Sequence, residues 1–154
     1  MCCFYRMINT ETNKDMERLL ITGAPKSGKS TLVSKMENVD HYCTDPQRVC
    51  DEGIVGTPNH LDWSGASQFV SDKWIGEKQV IEGVAIPRAL RKWKQINPFS
   101  PLPFDKLIIL EGTFEPLSKG QLTMAKGIKK VIEELIETWP EIIDNIEFVN
   151  LTEQ

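Results

Sequence analysis

Gly23, Gly28, Lys29 and Ser30 are spaced as G-x-x-x-x-G-K-[ST] within Gly23-Ala24-Pro25-Lys26-Ser27-Gly28-Lys29-Ser30-Thr31. These residue types at these intervals suit the holding of a phosphate chain. The glycines permit backbone angles that let successive N–H groups turn inward around an anion. Lys29 supplies a cation for the outer phosphates, and the Ser30 hydroxyl is a ligand for Mg2+. The pattern acquires meaning only between a strand and a helix. Both are signalled, by an apolar run at residues 18–22 and by Leu32, Val33 and Met36 on one side of residues 29–37. The start of that helix aims its positive dipole end at the same anion. The stretch therefore predicts a nucleoside triphosphate site lined by residues 23–31.

Such a loop needs a sheet to carry it, and the chain has the alternation to build one. Apolar runs at residues 18–22, 41–44, 79–83, 106–110 and 146–150 read as strands. The first is continuous rather than alternating, as expected of a parallel strand covered on both faces. Asp45-Pro46 is expected to stop the second strand, and residues 46–61 read as loop through Gly53, Gly56, Pro58 and Asn59. Asp62 suits a helix cap. From there Trp63, Ala66, Phe69, Val70 and Trp74 recur at helical spacing. Pro87 fits the first turn of a further helix. The clearest helical period runs over residues 123–139, from Ile128 through Val131, Ile132, Leu135 and Ile136 to Trp139, with Pro140 just past its end. Strands alternating with helices predict an α/β fold with a parallel sheet and helices on both faces.

Composition bounds the reading. The chain has 154 residues, 40% hydrophobic and 26% charged, and a net charge of −4. That predicts one core-forming domain over residues 17–154, preceded by an extension at 1–16 that shows no clear period. The acidic balance gives no strong nucleic-acid signal, although local basic clusters remain open. No apolar run is long enough for a membrane span, and no signal-peptide pattern is visible. Cys2, Cys3, Cys43 and Cys50 lack the paired spacing of a zinc site or a disulfide framework, so they read as reduced thiols of a cytoplasmic protein. His41 beside Cys43 reads as part of a strand rather than as a metal ligand.

Several kinds of nucleotide-binding protein share such a loop. A GTPase would add a D-x-x-G switch and a base-reading N-K-x-D; Asp62-Trp63-Ser64-Gly65 offers the first, but the second is missing. ATP is therefore the expected nucleotide. Leu117-Ser118-Lys119-Gly120-Gln121 is similar to the L-S-G-G-Q signature of transporter-type ATPases. There, however, the signature precedes a buried strand ending in paired acids. Here Glu133 and Glu134 lie within the long helix.

The chain resembles the small P-loop kinases, which act on nucleotides, nucleosides, sugars, shikimate or polynucleotide ends. That resemblance implies a three-layer P-loop NTPase fold with a five-stranded sheet in the order 2-3-1-4-5. The rim formed by the strand ends then supplies the chemistry. Asp45, just past the second strand, corresponds to the aspartate that accepts the proton of the substrate hydroxyl. Glu82 ends the third strand, where an acid orients Mg2+-bound water. Glu82-Gly83-Val84-Ala85-Ile86-Pro87-Arg88 resembles the D-G-F-P-R stretch of adenylate kinases, with Glu for Asp and two more residues before the proline. The layout carries over and points Arg88 at a phosphate. The resemblance also implies a small basic lid after the fourth strand, which makes Lys119 or Lys126 the candidate for transition-state charge.

The segments Asp62-Trp63-Ser64, Glu82-Gly83-Val84, Pro87-Arg88-Ala89-Leu90-Arg91-Lys92-Trp93 and Lys119-Gly120-Gln121 are also similar to small P-loop or AAA-like ATP-binding proteins encoded by phages. Together these readings predict Mg2+- and ATP-dependent transfer of a phosphoryl group to a nucleotide, nucleoside or other small acceptor. The alternative is an ATP-binding or ATP-hydrolysing module that regulates a macromolecular partner. The acceptor and the oligomeric state stay unread, because residues 46–74 show no motif that names a substrate.

Overall fold

The computed structural model describes residues 17–153, so the expected extension at 1–16, with Cys2 and Cys3, lies outside the described residues. β1 (Leu19–Gly23), β2 (His41–Pro46), β3 (Ile54–Thr57), β4 (Val80–Glu82), β5 (Lys106–Leu110) and β6 (Ile146–Val149) form one sheet. Every pairing is parallel, in the order β3-β2-β4-β1-β5-β6. The helices are α1 (Lys29–Ser34), α2 (Trp63–Phe69), α3 (Ile86–Ile96) and α4 (Lys119–Thr138). α2 continues into a π-helical turn at Val70–Trp74.

The expectation of five strands is corrected to six. The five expected strands lie in the expected order, and β3 is added as an edge beside β2. β3 falls within residues 46–61, where no apolar period announces a strand. Side chains staple it instead. Gln47 donates from Nε2 to the Ile54 carbonyl at 2.9 Å and accepts from the Gly56 N–H at 2.7 Å. Thr57 donates from its hydroxyl to the Thr44 carbonyl at 3.1 Å. β2 also runs through Pro46 rather than stopping before it, and its register against β3 shifts between Tyr42 and Pro46. That irregularity accommodates a residue with no N–H to offer the ladder.

Strand residues alternate between two apolar clusters, as a period of two requires. Leu20, Ile81, Leu107 and Ile109 face one cluster, completed by Ile86 and Leu90 of α3 and by Val131, Ile132 and Leu135 of α4. Leu19, Ile21, Val80, Ile108 and Leu110 face the other, closed by Leu32, Val33 and Met36 beside α1 and by Leu151. Both faces of the sheet are thus covered, and the first carries most of the helical mass.

α4 begins earlier than its apolar period suggests. Ser118 accepts from the Gln121 N–H at 3.2 Å, and the Gln121 side chain accepts from the Ser118 N–H at 3.0 Å. This reciprocal capping box satisfies two free donors and starts the helix at Lys119. The expected small basic lid is therefore corrected: Ser118 caps a helix that already includes Lys119, so Lys119 and Lys126 both lie within α4. No helix among the described residues is long and apolar enough to cross a membrane.

Candidate functional site

β1 ends at Gly23 and α1 begins at Lys29, so the intervening residues turn the chain at the carboxyl rim of the sheet. Gly28 caps α1 at φ 100, a left-handed angle suited to glycine. A Cβ at Gly28 would also stand 3.0 Å from the Phe114 ring and from Leu151. Lys26 holds φ 64 and is braced from the segment that follows β5. The Phe114 N–H donates to the Lys26 carbonyl at 2.8 Å, and the Lys26 ammonium lies 3.6 Å from the Glu115 carboxylate. The turn is a supported cradle.

Lys29 folds back over that turn. Its ammonium donates to the Ala24 carbonyl at 2.7 Å, the Gly23 carbonyl at 3.2 Å and the Ser27 hydroxyl at 3.5 Å. Burial pushes its pKa down, and the Glu82 and Asp45 carboxylates only partly offset that loss of hydration. A cation so desolvated is improved by an arriving anion.

Glu82 closes β4 and is almost fully buried. Ser30 Oγ donates to Glu82 Oε2 at 2.8 Å, and His41 Nε2 meets the same oxygen at 2.8 Å. Burial would raise the Glu82 pKa, but the hydrogen bonds from His41 and Ser30 outweigh it and hold the carboxyl below its ordinary value. A depressed carboxyl pKa stabilises the fold above the ordinary carboxylate range, and that contribution is lost as pH falls through the folded-state pKa. Glu82→Gln is therefore expected to have a lower melting temperature than the wild type at pH 6. The gap should shrink as pH falls below the ordinary glutamate pKa of about 4.3 and on through the lower folded-state value. A gap independent of pH in thermal melts would remove the charged role assigned to Glu82.

His41 was not among the sequence candidates. β2 pairs with β4 in the register Cys43↔Glu82, which places residues 41 and 43 on the face that Glu82 occupies. Only the strand order brings these residues together.

Lys29, Ser30, Asp45 and Glu82 share a cavity of about 470 Å³ with Trp63, Val84, Gln121 and Met124. Pro25, Lys26, Gly28 and Thr31 also line it. Gly23 and Ala24 instead line a separate, mainly apolar cavity of about 430 Å³ between β5 and α4. Ser27 is buried beneath the turn.

No family model matches this chain, and comparison with curated proteins and with solved structures found no similar one.

Some sequence candidates are not brought to the cavity wall. Lys119 and Lys126 are exposed on α4, which contributes Gln121 and Met124 instead. Arg88 stands one step back, its guanidinium 5.7 Å from the Trp63 ring centre. Trp63 follows Asp62, which accepts from the Gly65 N–H at 2.7 Å and so fixes the start of α2. The Trp63 ring is half-buried: it packs against the larger apolar cluster and also lines the cavity.

The residues present fit a magnesium nucleotide. Among the described residues no group of three or more His, Cys, Asp or Glu is placed to hold a metal ion by itself. Mg2+ is commonly held by one or two protein oxygens together with waters and substrate phosphates, which requires no such cage. Ser30 Oγ and Glu82 Oε2, 2.8 Å apart at the mouth of the cradle, are oxygen donors of that kind.

Proposed function

We propose that this is an ATP-dependent phosphotransferase of the P-loop kinase type, working in a cytoplasmic setting. The observation that carries the reading is the shared cavity. It holds a half-buried Lys29, whose loss of hydration the nearby carboxylates only partly offset, together with the Ser30–Glu82 pair and an exposed carboxylate, Asp45.

In this reading the part of the turn that lines the cavity, Lys26 and residues 28–31, holds the phosphate chain of ATP through N–H groups and the Lys29 ammonium. Ser30 and Glu82 would hold Mg2+, which when bound neutralises phosphate charge. His41 positions Glu82 by fixing its Oε2. Asp45 accepts the proton of the acceptor hydroxyl. The acceptor oxygen then forms its bond to the γ-phosphorus while the bond to the ADP oxygen breaks. Trp63, Val84, Gln121 and Met124 are the groups left to orient the acceptor.

The test is transfer of label from γ-labelled ATP to a panel of nucleosides, nucleotides, sugars and oligonucleotides. Asp45→Asn is expected to lower kcat about 100-fold, the low end of general-base effects, with ATP affinity unchanged. Labelled product insensitive to Asp45→Asn would remove the base assignment. ATP binding with no product across the panel would favour a regulatory ATP-binding module instead.

A further inference from the structure

We infer that the acceptor is the hydroxyl-bearing end of a single-stranded nucleic acid, with its phosphates following α3 away from the cavity. The inference rests on the phosphotransfer reading and narrows its acceptor.

The net charge of −4 hides a strong local asymmetry. α3 carries Arg88, Arg91, Lys92 and Lys94 and no acid. Arg88, Arg91, Lys92 and Gln95 recur at i, i+3, i+4 and i+7, so they form one stripe on one helical face. The stripe starts one step back from the cavity, because α3 follows closely on Glu82 and Val84 in its wall. Its first member, Arg88, stands over Trp63. Farther along, Arg91, Lys92 and Gln95 line a groove of about 660 Å³ whose opposite wall is Glu134, Leu135 and Thr138 of α4. From Arg88 to Gln95 a helix rises about 10 Å, the span of about three nucleotides of a stacked strand.

Cations alone would suit any polyanion; the cavity wall makes the choice. Trp63, Val84 and Met124 offer an apolar, partly aromatic surface for a base, and the Gln121 amide, whose Oε1 already accepts from the Ser118 N–H, has its NH2 to donate along a base edge. A terminal nucleotide there presents its hydroxyl to the compartment that holds Asp45. A lone mononucleoside would leave Arg91 and Lys92 unused. One carboxylate opposes the track: Glu134 pairs with the Arg91 guanidinium at 3.0 Å. Arginine keeps further donors in its fork, but Glu134 weakens whatever anion lies alongside.

The test uses the full chain and a single-stranded octathymidylate with a free 5′-hydroxyl and a 3′-fluorescein, read by anisotropy from low to moderate salt. For three phosphate contacts, log K is expected to fall against log salt with a slope of about −2. Arg91→Ala with Lys92→Ala should weaken binding about 10-fold or more and flatten the slope by about 1.4. Glu134→Gln should tighten binding a few-fold, which a purely structural role for the pair would not produce. With γ-labelled ATP, label should appear on the octanucleotide. The inference is overturned if thymidine binds as tightly as the octanucleotide. Displacement by inorganic polyphosphate as readily as by unlabelled octanucleotide would do the same, as would failure of these variants to move the affinity. Binding without label transfer also overturns it. A fluorescent ATP analogue separates the two levels. If the analogue does not bind the wild type, the phosphotransfer reading itself fails; if it binds and the octanucleotide does not, only the acceptor is wrong.

Discussion

Lys29→Met is expected to remove the stabilisation of this protein by Mg2+·ATP while leaving the ligand-free fold at least as stable as the wild type. A ligand at 100 times its Kd stabilises the state that it binds by about 2.7 kcal/mol. For a chain of this size that is a rise of about 5–10 °C in Tm. Most of the rise should vanish in Lys29→Met, because the cation on the outer phosphates is gone. The ligand-free result follows from the sign of the Lys29 shift. Its pKa is lowered by burial, against the partial opposition of Glu82 and Asp45. A lowered pKa means that folding disfavours the charged form of this side chain. Methionine fills similar length without that desolvation, though the Gly23 and Ala24 carbonyls lose their donor. Thermal melts with and without Mg2+·ATP decide the matter. A variant that keeps the full nucleotide-induced rise would sink the site; a ligand-free loss beyond about 3 kcal/mol, the range of a broken buried network, would make Lys29 a structural strut.

The second large effect is expected at Gly83, immediately after Glu82. Gly83 has φ 147, and a Cβ there would stand 1.9 Å from Thr44 Oγ1 and 2.8 Å from Thr44 Cβ. Neither neighbour can retreat. The Gly83 N–H donates to the Ile21 carbonyl at 2.9 Å, and the Gly83 carbonyl accepts from the Thr22 hydroxyl at 2.8 Å. Thr44 is itself buried, and its hydroxyl accepts from the Ala85 N–H at 3.4 Å. Overpacking together with an unfavourable φ should cost Gly83→Ala about 3–4 kcal/mol, lowering Tm by about 10 °C. Nucleotide affinity should fall too, because relief of the clash moves Glu82 relative to Ser30. Adding Thr44→Ala should restore stability only in part, since the contact with its Cβ remains. A Gly83→Ala protein that melts within 2 °C of the wild type would show that the β2–β4 contact is looser than described.

Features readable from the sequence were local. β1, β5 and most of α4 were announced by apolar runs or by a helical period long enough to survive noise. The cradle at residues 23–31 was announced by glycines and a lysine at fixed intervals. Features that escaped were set by bonds between distant residues. β3 depends on Gln47 and Thr57 side chains reaching backbone groups. The early start of α4 depends on Ser118 and Gln121 capping each other, which turns an expected lid into helix. That Ser-x-x-Gln signal was present in the sequence but preceded the apolar period by several residues.

The candidate site divides along the same line. Gly28, Lys29 and Ser30 are contiguous, so their types and spacing determine much of the turn between β1 and α1. Asp45 and Glu82 were placed by the expectation that strand ends share a rim, and both line the cavity. The partner of Glu82 was decided only by folding. His41 lies 41 residues away, and it meets the Glu82 carboxylate because β2 is the neighbour of β4. The far wall was decided in the same way. Gln121 and Met124 reach it while Lys119 and Lys126 remain exposed, since a helix presents one face and the packing of α4 on α3 selects which. Sequence spacing therefore determined the loop that could receive a phosphate. The tertiary structure decided which side chains surround it, because sheet order and helix rotation are properties of contacts between elements.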